Sequence, residues 1–414
     1  MERAEAGSQP PRSGGQRVGQ LDYRIFDADN HYYEATDALT RHLDRKLARR
    51  VAEWAEIGGK QRLLIGGARN DFIPNPTFDP IGKPGALMEF YLGTAEGGRG
   101  FAERIRDVEP LANRPEYRDR DARLARMDQQ GMEACWLFPT LGVGIEHALK
   151  QDLTACHAAF EAFNRWMDED WGFAHRGRLF ATPYLCLRDV GRAVRELEWV
   201  LSRGARVILI KPGPVDTATG RRSPFTEDFD PFWARVAEAG LTTAIHGGAS
   251  AYSDMEKIWG SSDDMRAFFG TPLASLIHGT HRDIHDTLAA MICDKLFERH
   301  PRLRVASIEN GANWVASLLQ KLEITGNQYA SWFAEPPVTT FRRHVWVAPF
   351  WEDDPVETAK QIGTDRTLLG SDWPHLEGVA DPSSYAERLG ALGAEGTRRV
   401  MRENAAELSR PPSA

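Results

Sequence analysis

The chain has 414 residues, of which 42% are hydrophobic and 27% are charged, and these values are typical of a globular protein with a substantial core. Its net charge of −8 argues against nucleic acid as a main partner. No apolar run approaches the roughly 18 residues of a membrane span, so no membrane partner is expected. The four cysteines show no zinc spacing and are predicted to be reduced thiols of a cytoplasmic protein: Cys135, Cys156, Cys186 and Cys293.

Both ends of the chain are predicted to lie outside the folded domain. Residues 1–20 are rich in Gly, Pro, Ser, Arg and Gln and lack the apolar core of a signal peptide, so we expect a disordered tail. Residues 410–414 are rich in proline and are expected to fray. Residues 21–409 are predicted to form a single domain.

The first predicted strand lies near Ile25 and carries Asp29 and His31 at its end. Residues two apart in an extended segment point to the same face, so these two side chains can hold one ion. The alternative is an Asx turn after the strand, with His31 on the surface.

Residues 32–116 follow no regular alternation and are too long for a simple connection between elements. We predict a helix over 36–47 and short β segments near 62–65 and 71–73. The whole stretch is interpreted as an insertion that covers the site as a lid, with Tyr32 at the metal edge contacting substrate. Its aromatic residues would suit a planar or apolar substrate: Tyr33, Phe72, Phe78, Phe90 and Tyr91.

A regular alternation of helices and strands begins at Arg118. Eight short apolar strands are predicted near residues 25, 135, 181, 207, 243, 306, 346 and 369. Helices are predicted over residues 118–130, 147–175, 190–203, 230–238, 271–299, 312–333, 355–362, 382–390 and 395–408. Strands that are apolar on both faces are typical of parallel sheets, so the class is α/β and the predicted fold is a closed (β/α)8 TIM barrel. A doubly wound open sheet is the alternative, although the chain lacks its phosphate-binding motifs.

A TIM barrel carries its functional residues at the carboxyl ends of its strands, and ionisable residues follow several predicted strands here. They are Asp29, His31, Lys211, His246, Glu309 and Asp372. Two histidines and two carboxylates suit one divalent first-row ion, with zinc or manganese favoured. Such an ion brings the pKa of bound water towards neutrality, and Asp372 would serve as a ligand, a general base or both.

Five segments together resemble the amidohydrolase superfamily, in the branch that contains aminocarboxymuconate semialdehyde decarboxylase and γ-resorcylate decarboxylase. They are FDADNH at 26–31, AIHGG at 244–248, LFERHPRLRV at 296–305, ENGANW at 309–314 and GSDWPH at 370–375. The resemblance implies four metal ligands, Asp29, His31, His246 and Asp372, on one divalent ion. It also implies a homodimer, because members of the family are often dimers.

The chain departs from the pattern of that family at two positions. Asp29 stands where a histidine or glutamate is more usual, and its shorter side chain reaches less far towards the metal. Glu309 stands where the decarboxylases place a histidine that is implied in catalysis. This second difference counts against a decarboxylase.

Several other residues have more than one interpretation. Lys211 would hold a substrate anion or lie on the loop surface, and His375 would support the ligands, contact substrate or pack within its loop. Glu309 would act as a general acid or base, hydrogen-bond a ligating histidine, or form a salt bridge. The group of His278, His281 and His285 would form a second metal site or line the pocket entrance.

The first functional hypothesis is a metal-dependent hydrolase for a small molecule. Metal-bound water would attack an amide, lactone or other cyclic acyl bond, with Asp372 as the base and with Glu309 and His246 also in the catalytic group. The alternative is a metal-dependent, non-oxidative decarboxylase of an aromatic or muconate-like acid. A second alternative is a non-catalytic barrel that binds a small molecule.

Overall fold

The computed structural model describes residues 21–73, 75–88, 108–250, 252 and 280–410. The predictions for the tail 1–20, for residues 411–414 and for Phe90, Tyr91 and His278 lie outside these residues. The strands are β1 (Ile25–Tyr32), β2 (Ala52–Ile57), β3 (Lys60–Ile65), β4 (Ala68–Arg69), β5 (Ile81–Gly82), β6 (Val108–Glu109), β7 (Met132–Pro139), β8 (Leu179–Ala181), β9 (Val207–Ile210), β10 (Val215–Thr217), β11 (Gly220–Arg222), β12 (Thr242–His246), β13 (Arg304–Ile308) and β14 (Val345–Val347).

The α-helices alternate with the later strands. They are α1 (Ala48–Val51), α2 (Arg120–Gln129), α3 (Ile145–Ala148), α4 (Leu153–Asp170), α5 (Val190–Ser202), α6 (Asp230–Glu238), α7 (Thr280–Cys293), α8 (Leu296–Arg299), α9 (Val315–Gln328), α10 (Pro337–His344), α11 (Pro355–Ile362), α12 (Gly393–Arg398) and α13 (Asn404–Leu408). No helix of the described residues is long and apolar enough to cross a membrane.

Two parallel sheets form the centre of the fold, which confirms the predicted α/β class. One has the strand order β1-β7-β8 and the other has the order β14-β13-β12-β9. Every pairing within them is parallel, and most of their residues are buried. Burial on both faces explains why these strands are continuous apolar runs in the sequence.

Backbone hydrogen bonds connect the two sheets on both sides. On one side, the Leu185 amide donates to the Leu209 carbonyl at 2.8 Å, and the Leu209 amide donates to the Pro183 carbonyl at 2.9 Å. On the other side, residues 367–373 lie between β14 and β1 at the position of the eighth predicted strand. The Leu368 amide donates to Val347 and the Ala28 amide donates to Leu369, both at 2.9 Å.

The helix predictions are confirmed most closely where one amphipathic pattern runs between two strands, as in α2, α5, α6 and α11. The helix predicted over 147–175 is wrong as one element, because Asp152 leaves the helical conformation and caps α4 by accepting a hydrogen bond from the Ala155 amide. The helix predicted over 36–47 is also wrong. Residues 36–42 form turns, and Asp44 caps a short 3-10 helix over Arg45–Leu47.

The described residues between 33 and 117 carry small antiparallel sheets. β2, β3 and β4 pair in that order, and β5 pairs with β6. The predicted β segment at 62–65 is therefore confirmed, whereas residues 71–73 contain no strand. Phe78 packs against Tyr33 with ring centroids 4.8 Å apart, so this region is anchored next to the end of β1.

All four cysteines are free thiols, in agreement with the prediction. Cys156 and Cys186 come closest to one another, with their Sγ atoms 3.7 Å apart, far beyond the length of a disulfide bond.

Candidate metal centre

Three histidines and three carboxylates meet at the carboxyl ends of the parallel strands. They are Asp29 and His31 on β1, His246 on β12, Glu309 directly after β13, and Asp372 and His375 after residues 367–371. Two overlapping groups of four hold their ligand atoms within 4.8 Å of one another, and both groups contain His31 and Glu309. Of the four predicted ligands, Asp29, His31 and His246 share one group, whereas Asp372 belongs with His31 to the other. The structure adds Glu309 to both groups and His375 to the second.

Within each group, the spacing of neighbouring ligand atoms fits a single ion. His31 Nε2 lies 3.4 Å from Asp29 Oδ1, 3.1 Å from Glu309 Oε2 and 3.3 Å from Asp372 Oδ1. His246 Nε2 lies 3.3 Å from His31 Nε2 and 2.9 Å from Glu309 Oε2. Two ligand atoms that each lie about 2.1 Å from one ion are separated by about 3.0–3.4 Å in octahedral or tetrahedral geometry.

The hydrogen bond of His246 to the backbone orients its ring for metal binding. Its Nδ1 lies 2.7 Å from the Gly247 carbonyl oxygen, an acceptor, so Nδ1 carries the proton. In the neutral ring, the Nε2 lone pair then points at the cluster, where it meets another imidazole nitrogen and a carboxylate. Lone pairs that face one another in this way need a proton or a metal ion between them.

Several atoms of the cluster are buried without a hydrogen-bond partner. Asp29 Oδ1, Asp372 Oδ1, His31 Nδ1 and His375 Nδ1 all belong to this group. A buried polar atom without a partner costs about 1–3 kcal/mol, and more when the group is charged. For the two carboxylate oxygens and His375 Nδ1, a divalent ion would supply the missing partner. The residues present therefore fit one divalent metal ion.

The electrostatics of the cluster lead to the same conclusion. Burial lowers the pKa of His246, but Glu309 and Asp29 outweigh it and raise this pKa to about 10. Burial, together with Glu309, raises the pKa of the Asp372 carboxyl well above its ordinary range. Positive charge is therefore favoured at this position, and a bound cation would provide it.

Glu309 and Asp372 adopt left-handed backbone conformations, with φ of 51° and 55°. A left-handed residue reverses the chain within one position, which takes both residues out of the strand direction and turns their carboxylates to the cluster. This conformation costs residues other than glycine about 1–2 kcal/mol. A hydrogen bond of 2.9 Å from the Asp372 amide to the Asp29 carbonyl stabilises one of the two turns.

A buried polar network supports β1 beneath the cluster. Asp27 accepts hydrogen bonds from the Ser371 amide at 3.0 Å and from Asn30 Nδ2 at 2.8 Å, which joins β1 to the Asp372 segment. Arg123, which is fully buried, donates to Asn30 Oδ1 at 2.5 Å and to the His31 carbonyl at 2.6 Å. This network was not predicted from the sequence.

The prediction that Tyr32 lines the site is wrong. Residues alternate between the two faces of a strand, so Tyr32 points away from the face that carries Asp29 and His31. Its ring is fully buried and packs against Trp171 and Trp166, with centroid distances of 5.4 and 5.5 Å. Among the residues described, neither His281 nor His285 belongs to a group that could hold a metal.

Lys211 does not lie on the surface, and its side chain pairs with Glu146. It is buried, and its Nζ lies 3.3 Å from Glu146 Oε1, while Glu146 Oε2 accepts a hydrogen bond of 3.0 Å from the Tyr184 hydroxyl. The interpretation of Lys211 as a residue on the loop surface is therefore wrong. Its ammonium group forms a buried ion pair with the Glu146 carboxylate.

Replacing Lys211 with methionine is expected to lower the free energy of unfolding by about 3–5 kcal/mol, because Glu146 would stay buried without its cation. The double variant Lys211→Met, Glu146→Gln should recover most of that loss. Urea denaturation of the two variants and the wild type checks both values. A stable single variant whose KM for an anionic substrate has risen would instead show that Lys211 contacts substrate.

Comparisons with known proteins identify the family of the chain. A family model described as Amidohydrolase matches residues 27–410. The chain is 44% identical to an amidohydrolase from Mycobacterium avium subsp. paratuberculosis, with a TM-score of 0.89 over 94% of this chain and 100% of that chain. A comparison with curated proteins found no match.

Two decarboxylases share the fold at lower identity. A dihydroxybenzoic acid decarboxylase from Polaromonas sp. JS666, solved with manganese and 2-nitroresorcinol, is 17% identical, with a TM-score of 0.57 over 79% of this chain and 96% of that chain. A 5-carboxyvanillate decarboxylase from Sphingomonas paucimobilis is 16% identical, with a TM-score of 0.55 over 94% of this chain and 99% of that chain. The match of the family model over most of the chain, together with the 44% identity, shows that this protein belongs to the amidohydrolase family.

Proposed function

We propose that the protein is a one-metal enzyme that decarboxylates a hydroxylated aromatic or muconate-like acid. The observation that carries the proposal is the cluster itself, in which the Glu309 side chain is 24% exposed while the other five side chains are between 1% and 12% exposed. Glu309 therefore lies on the side from which a substrate would approach. The decarboxylases that share the fold support this reaction over the hydrolysis that the sequence favoured.

Asp29, His31, His246 and Asp372 would hold the ion, which is zinc or manganese; the manganese in the dihydroxybenzoic acid decarboxylase supports the latter. When bound, the ion would act as a Lewis acid on the oxygen atoms of the substrate. Asp27 and Arg123 would keep β1 and its two ligands in place through the hydrogen bonds described above.

Glu309 would move the proton. Its carboxylate accepts the proton of the substrate hydroxyl and returns it to the ring carbon as the bond to the carboxyl group breaks. The electron pair of that bond forms the new C–H bond, carbon dioxide leaves, and the phenolate product takes a proton from water. One carboxylate thus serves as base and then as acid at the position where related decarboxylases have a histidine.

Hydrolysis of an amide, lactone or other cyclic acyl bond is the second candidate. It is favoured by Glu309, since a carboxylate in place of the histidine suits the removal of a proton from attacking water. The 44% identical relative is described as an amidohydrolase, which is compatible with either reaction. Membership of this family supports an enzyme over a non-catalytic binding protein.

Replacing Glu309 with glutamine is expected to lower kcat about 100-fold or more while the metal stays bound, because general acid–base catalysis contributes about 10²–10⁴. The test is carbon dioxide release from a series of hydroxybenzoates, run beside lactone and amide hydrolysis. Glu56→Gln, at an exposed position on β2, is the matched control. Acyl hydrolysis without carbon dioxide release would replace the first candidate with the second.

We also propose that the fold is a closed barrel and that the insertion 32–116 covers the site. The backbone bonds at 183–185 and at 367–373 support a closed ring of eight segments, and this ring, with the insertion 32–116, would form one domain over 21–409. The Leu87 amide donates to the Leu376 carbonyl at 2.7 Å, beside His375, which supports a lid role for the insertion. The homodimer stays a prediction that a mass measurement in solution would check.

A further inference from the structure

We propose that His375 is a fifth protein ligand of the ion and that Thr140 fixes the tautomer that allows it. The inference rests on the proposed metal centre and adds a residue to the four ligands that the family resemblance implies. His375 lies three residues after Asp372, and Thr140 follows β7 directly.

The hydrogen bonds of Thr140 determine which nitrogen of His375 carries the proton. The Thr140 hydroxyl has one proton, which it donates to the Tyr32 carbonyl at 2.8 Å. The same oxygen lies 2.9 Å from His375 Nε2 and can then only accept there, so Nε2 carries the proton. In the neutral ring, Nδ1 is consequently left with a free lone pair.

That lone pair points into the cluster. His375 Nδ1 lies 2.6 Å from Asp372 Oδ1, yet neither atom has a hydrogen-bond partner, because the geometry between them is not that of a hydrogen bond. The His375 ring also lies against the His31 ring, with centroids 3.9 Å apart. A lone pair held this close to a carboxylate oxygen, in a buried position, is repulsive unless a proton or a metal ion lies between them. If both atoms bound one ion, they would move apart to the separation of about 3.0–3.4 Å between neighbouring ligands.

The proposed ligand set would have three imidazole nitrogens and two carboxylate oxygens, and the ion would draw together the two groups of ligand atoms that share His31. The two carboxylates, Asp29 and Asp372, would neutralise a divalent ion, and Glu309 would lie beside the ion on the more exposed side of the cluster. Catalytic zinc usually has three protein ligands and an open position, so five protein ligands favour an ion that accepts six, such as manganese. His375 would thereby contribute to the choice of metal as well as to its affinity.

Pulsed EPR of the manganese-loaded protein, which detects coupling to ligand nitrogen, tests the assignment together with metal affinity from chelator competition. We expect three coupled imidazoles in the wild type and two in His375→Ala, whose Kd for manganese should rise at least 10- to 100-fold. Circular dichroism would confirm that the variant is folded. A wild type with two coupled imidazoles, and a His375→Ala variant that leaves count and Kd unchanged, would overturn the inference.

Thr140 provides the matched pair of variants. Thr140→Val keeps the shape but removes the acceptor, so the tautomer of His375 is no longer fixed, and we expect the Kd for manganese to rise about 10-fold or more. Thr140→Ser keeps the hydroxyl and should bind like the wild type. Equal affinities of Val and Ser variants would contradict the role of Thr140. A wild type that binds no divalent ion would instead overturn the whole centre, and this inference with it.

Discussion

Replacing His246 with alanine and Asp372 with asparagine in one variant is expected to reduce the metal content from about one ion per chain to none. The change removes one nitrogen and one anionic oxygen from the cluster, and it leaves only Asp29 and His31 of the four predicted ligands. Elemental analysis of the purified wild type and variant measures the result directly. Activity with any substrate should be lost together with the metal.

The control for this variant is His42→Ala. His42 lies on the surface and pairs with Glu169, away from the described cluster, so its replacement should leave one ion bound. The metal centre would be refuted by a wild type that contains no metal after growth in supplemented medium and does not take up added zinc or manganese.

Replacing Arg123 with methionine is expected to lower the free energy of unfolding by about 3–5 kcal/mol. Its guanidinium is fully buried and donates to Asn30, to the His31 carbonyl and to the Glu116 carbonyl, so its loss leaves buried acceptors without a donor. The guanidinium also lies 4.7 Å from the centre of the Trp373 ring, next to the Asp372 segment.

Chemical denaturation with two independent probes measures this effect. Arg203→Met is the matched control, because Arg203 forms an exposed ion pair with Asp168, and such pairs contribute about 1 kcal/mol or less. If Arg123→Met loses no more stability than Arg203→Met, the buried network does not hold β1 in place. The metal affinity of Arg123→Met should fall as well, because the His31 backbone would lose its anchor.

Most of the parallel strands could be predicted from the sequence because burial on both faces leaves a continuous apolar run, as in VILI at 207–210. Segment 36–47 could not, because capping and turn chemistry at Asp44 outweigh the helix propensity of its neighbours. The long helix over 147–175 was wrong for the same reason at Asp152.

The candidate site was predictable to the extent that side-chain direction follows from strand alternation. Asp29 and His31 share a face, and the same rule, applied one residue further, would have placed Tyr32 in the core. Glu309 and His375 follow strand ends, where a single left-handed residue redirects the chain and the sequence does not reveal the direction. Arg123 resembles an exposed charge of an amphipathic helix, and only the tertiary fold shows what it contacts.

The left-handed conformations of Glu309 and Asp372 have a consequence for protein engineering. At both positions glycine, or asparagine to a smaller extent, would relieve the backbone at no steric cost. A selection for heat tolerance of the metal-free protein would therefore accept Glu309→Gly and Asp372→Asn, and that form would gain stability as it lost its carboxylates. Libraries aimed at a thermostable variant should hold both codons constant, because a substitution that relieves the backbone at either position also removes a carboxylate of the site.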